Sequence, residues 1–126
     1  MFYRVIILLL SINVSAQEYE INSDKVEINT ELNTITYIDN VNFNSDSVKF
    51  NADILNIDQP NEAFQASGTP IKIEFFDGQG YIKGEANTIE IVADSLILKD
   101  QVTIIRSGNK ISSDKIVIRL GKNDQS

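Results

Sequence analysis

Apolar and polar side chains alternate with a period of two along most of this 126-residue sequence. Val26 and Ile28, for example, are separated and flanked by Lys25, Glu27 and Asn29. This period is typical of a β-strand with one buried face, because successive side chains of a strand point to opposite sides. No stretch of eleven residues shows the 3.6-residue period of an amphipathic helix. The sequence therefore predicts an all-β fold.

Short polar segments interrupt the alternation and predict the turns between strands. They are rich in Asn, Asp, Ser, Gly and Pro, which form turns through side-chain hydrogen bonds or by adopting a positive or fixed φ. The segments are residues 22–24, 39–40, 44–46, 58–61, 67–70, 77–80 and 107–109. Their spacing predicts about a dozen short antiparallel strands, joined mostly by tight hairpins.

Two parts of the sequence resemble each other. Residues 23–28 match residues 86–91 at an offset of 63, and residues 39–43 match residues 100–104 at an offset of 61. A turn that is two residues shorter in the second copy, near the equivalent of residues 29–33, accounts for the change of offset. The sequence thus predicts one antiparallel unit that occurs twice in a single extended sheet.

The side chains that many enzymes need for catalysis are missing from the sequence. It has no Cys and no His, which excludes a Ser-His or Cys-His nucleophile, an imidazole or thiolate zinc site, and a disulfide. Asp24, Asp53, Asp94 and Asp114 lie at predicted strand starts, where caps of backbone N–H groups are more typical than a glycosidase pair or a calcium site. We therefore predict no enzymatic activity, no cofactor and no metal site. The formal charge of −7 argues against nucleic acid as a partner, because phosphates favour clustered Lys and Arg.

The first 16 residues have the features of an export signal. Arg4 gives a positive start, Val5–Leu10 is apolar, and Val14-Ser15-Ala16 places small residues where signal peptidase reads its site. As a helix, residues 5–14 would span about 15 Å, half of the roughly 30 Å of a bilayer core. We predict a signal peptide of residues 1–16, cleaved after Ala16, although an uncleaved anchor is the alternative. The mature domain, residues 17–126, keeps ten basic and 18 acidic side chains, a formal charge of −8, and its lack of Cys suits a bacterial periplasm.

A series of short motifs follows in a fixed order along the mature domain. It begins with Ser23-Asp24, an alternating strand, Asp39-Asn40-Val41 and Lys49-Phe50-Asn51-Ala52-Asp53, and it continues through Gly68-Thr69-Pro70 and residues 83–86 and 110–116. This series resembles that of the LptA/OstA-like family of periplasmic lipopolysaccharide transport proteins. The resemblance covers residues 18–120 and therefore nearly all of the mature domain.

The resemblance implies a twisted, open-ended β-jellyroll that holds lipid acyl chains in its interior. It implies a periplasmic protein that binds lipopolysaccharide and carries it from the inner to the outer membrane. The expected partners are an LptC-type protein of the inner membrane, an LptD-type protein of the outer membrane, and further copies of the chain. Such proteins stack end to end. The predicted first and last strands, residues 18–22 and 115–120, would then be open edges that pair with another chain.

A lipid groove in this fold would be lined by inward-facing members of the alternation. We predict a groove formed by Tyr19, Ile21, Val26, Ile28, Tyr37, Phe43, Phe50, Ile73, Phe75, Ile89 and Ile91. A closed β-sandwich, however, buries the same kinds of residue as an ordinary core. The alternative is therefore a structural β-repeat protein of the envelope, with a closed core and no ligand.

Overall fold

The computed structural model describes residues 19–120, and the secondary structure of this part of the chain consists of eight β-strands. They are β1 (Tyr19–Asn22), β2 (Lys25–Asn29), β3 (Thr34–Ser45), β4 (Val48–Asp58), β5 (Ala63–Phe76), β6 (Tyr81–Val92), β7 (Ser95–Arg106) and β8 (Asn109–Arg119). The all-β prediction is confirmed. The described residues include no helix with the length and apolarity needed to cross a membrane. The predicted signal peptide, residues 1–16, lies outside the described residues.

All eight strands belong to one antiparallel sheet. Its order is β1-β3-β4-β5-β6-β7-β8, and β2 pairs with β3 alongside β1. From β2 onward, each strand pairs with the next one along the chain. In the described residues, β1 and β2 together form one edge of the sheet and β8 forms the other, as predicted for the two ends of the domain.

Irregularities in the pairing line up in a row across the sheet. The register shifts between Ile38 and Val41 of β3, and similar shifts occur in β4, β5, β6 and β7. Asp39 and Asn40 have positive φ in this row, a conformation that Asp and Asn tolerate better than most residues. Because a bulge bends its strand and increases the local twist, the row divides the sheet into two layers that fold onto each other.

We call these halves layer 1 and layer 2. Layer 1 contains β1 and residues 41–45, 48–51, 71–76, 81–85, 102–106 and 109–113; layer 2 contains β2 and residues 34–38, 54–58, 63–67, 88–92, 95–99 and 115–119. Phe43 of layer 1 and Phe64 of layer 2 show the folding directly, since their ring centroids lie 5.8 Å apart. This two-layered arrangement creates the interior of the protein.

The predicted dozen short strands were too many. Residues 39–40 and 67–70 do not end strands but lie within β3 and β5, which continue on both sides. Asp, Asn and Gly suit a bulge for the same reason that they suit a turn, namely their tolerance of unusual φ values. The composition of a short polar segment therefore did not distinguish a bend within a strand from a connection between strands.

The predicted internal duplication is confirmed by the strand boundaries and by the register. Adding 61 to the residue numbers of β3 gives those of β7, and adding 61 to those of β4 gives those of β8. Adding 63 to the residue numbers of β2 gives residues 88–92 of β6. Val26 pairs with Tyr37 as Ile89 pairs with Leu98. The connection at residues 30–33 is replaced by the shorter one at residues 93–94, which explains the change of offset. β5 lies between the two copies.

The core lies between the two layers. Leu55 and Ile89 of layer 2 and Ile71 and Phe75 of layer 1 are fully buried there. No residue with a charged, amide or aliphatic-hydroxyl side chain is buried among residues 19–120. Removal of apolar surface from water stabilises a fold by about 25 cal/mol per Å², so this packing is the main interaction that holds the folded sheet closed.

Candidate functional site

The two layers separate at the strand ends farthest from the row of bulges and leave a cleft of about 450 Å³. Its apolar walls are formed by Tyr19, Phe43, Val48, Ile57, Phe64, Ile91 and Leu120. Ser45, Ser47, Gln59 and Glu62 also line it. Apolar walls with a few polar groups are typical of sites that bury a hydrophobic ligand and leave its polar end near water.

Aromatic rings form the wall of the cleft on the side of β1. Tyr19 stacks on Phe43 with centroids 5.5 Å apart, and Phe43 stacks on the deeper Phe50 at 4.9 Å. Phe64 meets Tyr19 edge-on at 5.5 Å from the opposite layer. Stacked and edge-on ring pairs of this kind are favourable beyond their buried area. They join layer 1 to layer 2 at the mouth through packing between side chains.

The predicted groove residues all lie on the inner faces of the layers, but their exposure differs. Six are buried in the core: Tyr37, Phe43, Phe50, Ile73, Phe75 and Ile89. Tyr19, Ile21 and Ile91 are half-buried and pack against this core. Val26 and Ile28 are 46% and 65% exposed, because β2 is an edge strand and no described strand pairs with its outer side. The structure thus brings Tyr19, Phe43 and Ile91 together at the cleft and places Ile73, Phe75 and Ile89 deeper.

The predicted groove residues do not include four apolar residues of the cleft: Val48, Ile57, Phe64 and Leu120. Ile57 and Phe64 lie in β4 and β5, where the bulge reverses the parity of the inward-facing positions. In β5, for instance, Ala66 faces inward before the bulge and Ile71 and Ile73 face inward after it. A period-two pattern shows which alternate positions of a strand face inward only as far as the next irregularity. Gly68, which lies at the bulge of β5, was the available signal in the sequence.

Several acidic side chains make structural contacts. Oδ1 of Asp77 accepts hydrogen bonds from the backbone N–H groups of Gln79 and Gly80 at 2.8 and 2.9 Å, and its Oδ2 accepts one from Arg106 at 3.2 Å. The two backbone bonds are the main cause of a lowered pKa at Asp77. Asp24, predicted to cap a backbone N–H group, instead accepts a bond from the side chain of Asn40 at 2.8 Å. Residues 19–120 contain no group of three or more acidic side chains that could hold a metal ion.

Two tyrosines of the interior have altered ionisation. Burial raises the pKa of the Tyr37 hydroxyl to about 12, with a further contribution from Tyr19, and burial also raises the pKa of Tyr19. An ionised phenolate is unfavourable in an apolar interior. Both hydroxyls therefore remain neutral hydrogen-bonding groups throughout the physiological range.

We expect the free energy of unfolding to fall as the pH rises from about 10 to about 12. The folded pKa of Tyr37, about 12, exceeds the ordinary value of 10.0, so its stabilising contribution is complete below pH 10 and lost as the pH passes through the folded pKa. A difference of two pKa units corresponds to about 2–3 kcal/mol. Urea unfolding at a series of pH values measures the loss. Tyr37→Phe should lose less stability than the wild type over this range, and an equal loss would contradict the assignment to Tyr37.

Comparisons with known proteins agree with this geometry. A family model described as "LptA/(LptD N-terminal domain) LPS transport protein" matches residues 20–124. The fold is similar to the crystal structure of LptH from Pseudomonas aeruginosa, with a TM-score of 0.72 and 22% sequence identity. The match covers 80% of this chain and 75% of the LptH chain. LptH is described as the LptA homologous periplasmic component of the lipopolysaccharide transport device. A search of curated proteins finds no matching sequence. The predicted β-jellyroll fold is thereby confirmed.

Proposed function

The chain belongs to the family of LptA and LptD N-terminal-domain lipopolysaccharide transport proteins, and from this premise we propose that it carries lipopolysaccharide across the periplasm from the inner to the outer membrane. The observation that carries the proposal is the cleft of about 450 Å³ between the layers. Its walls are side chains of Phe, Ile, Val and Leu, which suit acyl chains. Binding by acyl chains also suits an acidic protein, because it needs no attraction between the protein surface and an anionic headgroup.

The folded sheet explains how a core that is closed at its centre can admit a lipid. At the row of bulges, the same strands run from one layer into the other and connect the layers through the backbone. At the mouth, the layers contact each other through the aromatic rings of Tyr19, Phe43 and Phe64. Parting the layers at the mouth would therefore separate apolar side chains and leave the strand ladders intact. An acyl chain that entered would replace the lost apolar contacts. We propose that the lipid extends from the cleft toward Ile73, Phe75 and Ile89 as the layers part.

We further propose that the sheet edges pair with partner jellyrolls of the LptC and LptD types and with other copies of the chain. The edge formed by β2 exposes Val26 and Ile28 on its inner face, and the β8 edge exposes Ile111 there. A strand added to either edge would satisfy the free backbone groups and cover these side chains. It would also extend the apolar interior from one protein into the next.

Lipid extraction of the exported protein tests the proposed cargo. The full chain is expressed in a bacterium that makes lipopolysaccharide, recovered from the periplasmic fraction, and extracted for mass spectrometry. We expect lipopolysaccharide to co-purify. Protein that is exported but consistently empty would instead favour the alternative of a structural envelope protein with a closed core.

Proline substitutions in β8 are expected to separate edge pairing from folding. Val117 and Ile118 are adjacent in β8, so their N–H groups point to opposite sides of the strand, one toward β7 and one toward the free edge. Proline at the position facing β7 removes a ladder hydrogen bond and should cost about 1–3 kcal/mol. Proline at the position facing the free edge should leave the free energy of unfolding nearly unchanged and abolish association with other chains.

Sedimentation velocity over a concentration series, together with urea unfolding, measures both effects. Wild-type protein is expected to form larger species as its concentration rises. If wild type and both variants, Val117→Pro and Ile118→Pro, sediment as monomers throughout, self-association through β8 is wrong.

A further inference from the structure

Tyr37 carries the only polar side-chain group in the buried core of residues 19–120. The residue is 7% exposed, and every other buried residue with a side chain is Ala, Val, Leu, Ile or Phe. Within the described part of the chain its hydroxyl makes no hydrogen bond. Buried polar groups are nearly always hydrogen-bonded, and one without a partner is unfavourable. A hydrogen-bond partner that residues 19–120 do not supply would therefore stabilise this hydroxyl.

The second copy of the repeat shows that packing alone does not require tyrosine here. Leu98 occupies the position equivalent to Tyr37 and is fully buried, and Ile82 occupies the position equivalent to Tyr19 and is also buried. Aliphatic side chains thus fill the same places in the same fold. The two phenols are specific to the first copy, whose β1 and β2 form an edge of the sheet.

One of the two tyrosines lies at the cleft, and the other lies beside the β2 edge. Tyr19 lines the cleft, and Tyr37 is the cross-strand neighbour of the half-exposed Val26. A chain-like ligand that occupied the interior from the cleft to this edge would pass both tyrosines.

We propose that the hydroxyls of Tyr37 and Tyr19 donate hydrogen bonds to the ester or amide carbonyl oxygens that attach acyl chains to a lipid headgroup. The proposal rests on the lipid-carrying function above and adds the polar recognition element of that site. A neutral phenol donates one hydrogen bond, and a carbonyl accepts it without bringing a charge into the interior. Acyl-linkage carbonyls are also the polar groups that lie directly beside the chains. A site whose hydroxyl groups donate hydrogen bonds to these carbonyls discriminates against a plain hydrocarbon, because a hydrocarbon would leave the hydroxyl groups unpaired.

Phenylalanine substitutions test the proposal because they remove the hydroxyl and keep the ring. Tyr37→Phe, Tyr19→Phe and the double variant are compared with wild type for binding of monoolein and of 1-octadecene, each measured by displacement of a fluorescent naphthylamine dye. We expect Tyr37→Phe to weaken monoolein binding roughly 5- to 20-fold and the double variant to weaken it further. Binding of 1-octadecene should change less than about twofold. Tyr81→Phe is the matched control, since the Tyr81 hydroxyl lies outside the cleft and donates to the backbone carbonyl of Asp46 at 3.5 Å.

The infrared band of a ¹³C-labelled monoolein carbonyl gives a second readout that a purely structural role would not change. A hydrogen bond lowers the stretching frequency of a carbonyl, so the band should lie lower in wild type than in Tyr37→Phe. The empty Tyr37→Phe protein should unfold at the wild-type temperature or above, because it loses an unpaired hydroxyl. Unchanged monoolein affinity, an unmoved carbonyl band, or a wild type that binds neither probe would each overturn the proposal. Failure to capture lipopolysaccharide, with discrimination between the two probes retained, would overturn the cargo and leave this site standing.

Discussion

A photo-crosslinking amino acid at Ile91 is expected to capture lipopolysaccharide in living cells, whereas one at Glu90 is expected to capture none. The two residues are neighbours in β6 and point to opposite faces. Ile91 lines the cleft with Phe64, and Glu90 lies on the outer face, where it accepts a hydrogen bond from Lys99 at 2.9 Å. Both variants carry the crosslinker in the same strand of the same exported protein. A difference in capture therefore reports the face of the sheet on which the lipid lies.

Crosslinkers deeper in the interior extend this test to the opening of the layers. Ile73 is buried in layer 1, and its neighbour Lys72 faces outward. Capture at Ile73 requires the layers to part, so we expect it to be weaker than at Ile91 but clearly above that at Lys72. Immunoblots for lipopolysaccharide adducts after irradiation measure all four positions. Equal capture at inward and outward positions would contradict the groove, and capture at Ile91 alone would confine the lipid to the cleft.

The sequence predicted those features of the fold that depend on neighbouring residues. Alternation around Val26 and Ile28 gave the strand and its inner face, and the offsets of 61 and 63 gave the duplication that the register of β6 and β7 repeats. The exposure of individual side chains, which depends on distant residues, was not predicted. Val26 and Ile89 occupy equivalent positions in nearly the same local sequence, but β2 lies at an edge and β6 lies inside the sheet. Strand order, which no local pattern contains, decides their exposure.

The candidate site was harder to predict than the fold for a related reason. The cleft is formed where β1, β3, β4, β5 and β6 meet across the folded sheet, so Tyr19 and Phe64 become neighbours only through the bend at the bulges. Hydrophobic patterning also treats Tyr37 as one more inward-facing residue. Its hydroxyl becomes distinctive only when the structure shows that it makes no hydrogen bond within residues 19–120 and that Leu98 fills the equivalent place.

The structure narrows the choice between an open groove and a closed core. The centre of the interior is closed, with Phe75 and Ile89 fully buried, and the mouth is open at the cleft. The two descriptions therefore apply to different depths of one interior. A charged side chain placed at each depth should separate them, because water can solvate a charge at an open position but not in a closed core.

Ile89→Asp is expected to abolish cooperative folding, whereas Val26→Asp is expected to leave it nearly intact. Ile89 is 1% exposed, and Val26, its equivalent in the first copy, is 46% exposed. An unpaired carboxylate in an apolar core costs several kcal/mol, a large part of the roughly 5–15 kcal/mol that stabilises a typical domain. At the β2 edge the same carboxylate can remain hydrated, so we expect a change of less than about 1 kcal/mol.

Circular dichroism and urea unfolding of the two variants measure the contrast. Because the duplication gives both positions the same strand geometry and the same inner face, a difference in stability arises from what covers each position. A cooperative, stable Ile89→Asp protein would show that water reaches the centre of the interior and that the groove is open along its length. Unfolding of both variants would show that the inner face of β2 is covered in solution. The expected contrast would leave Val26→Asp folded, with a charge on the surface where a partner strand would dock, and so suited to test edge pairing in the intact protein.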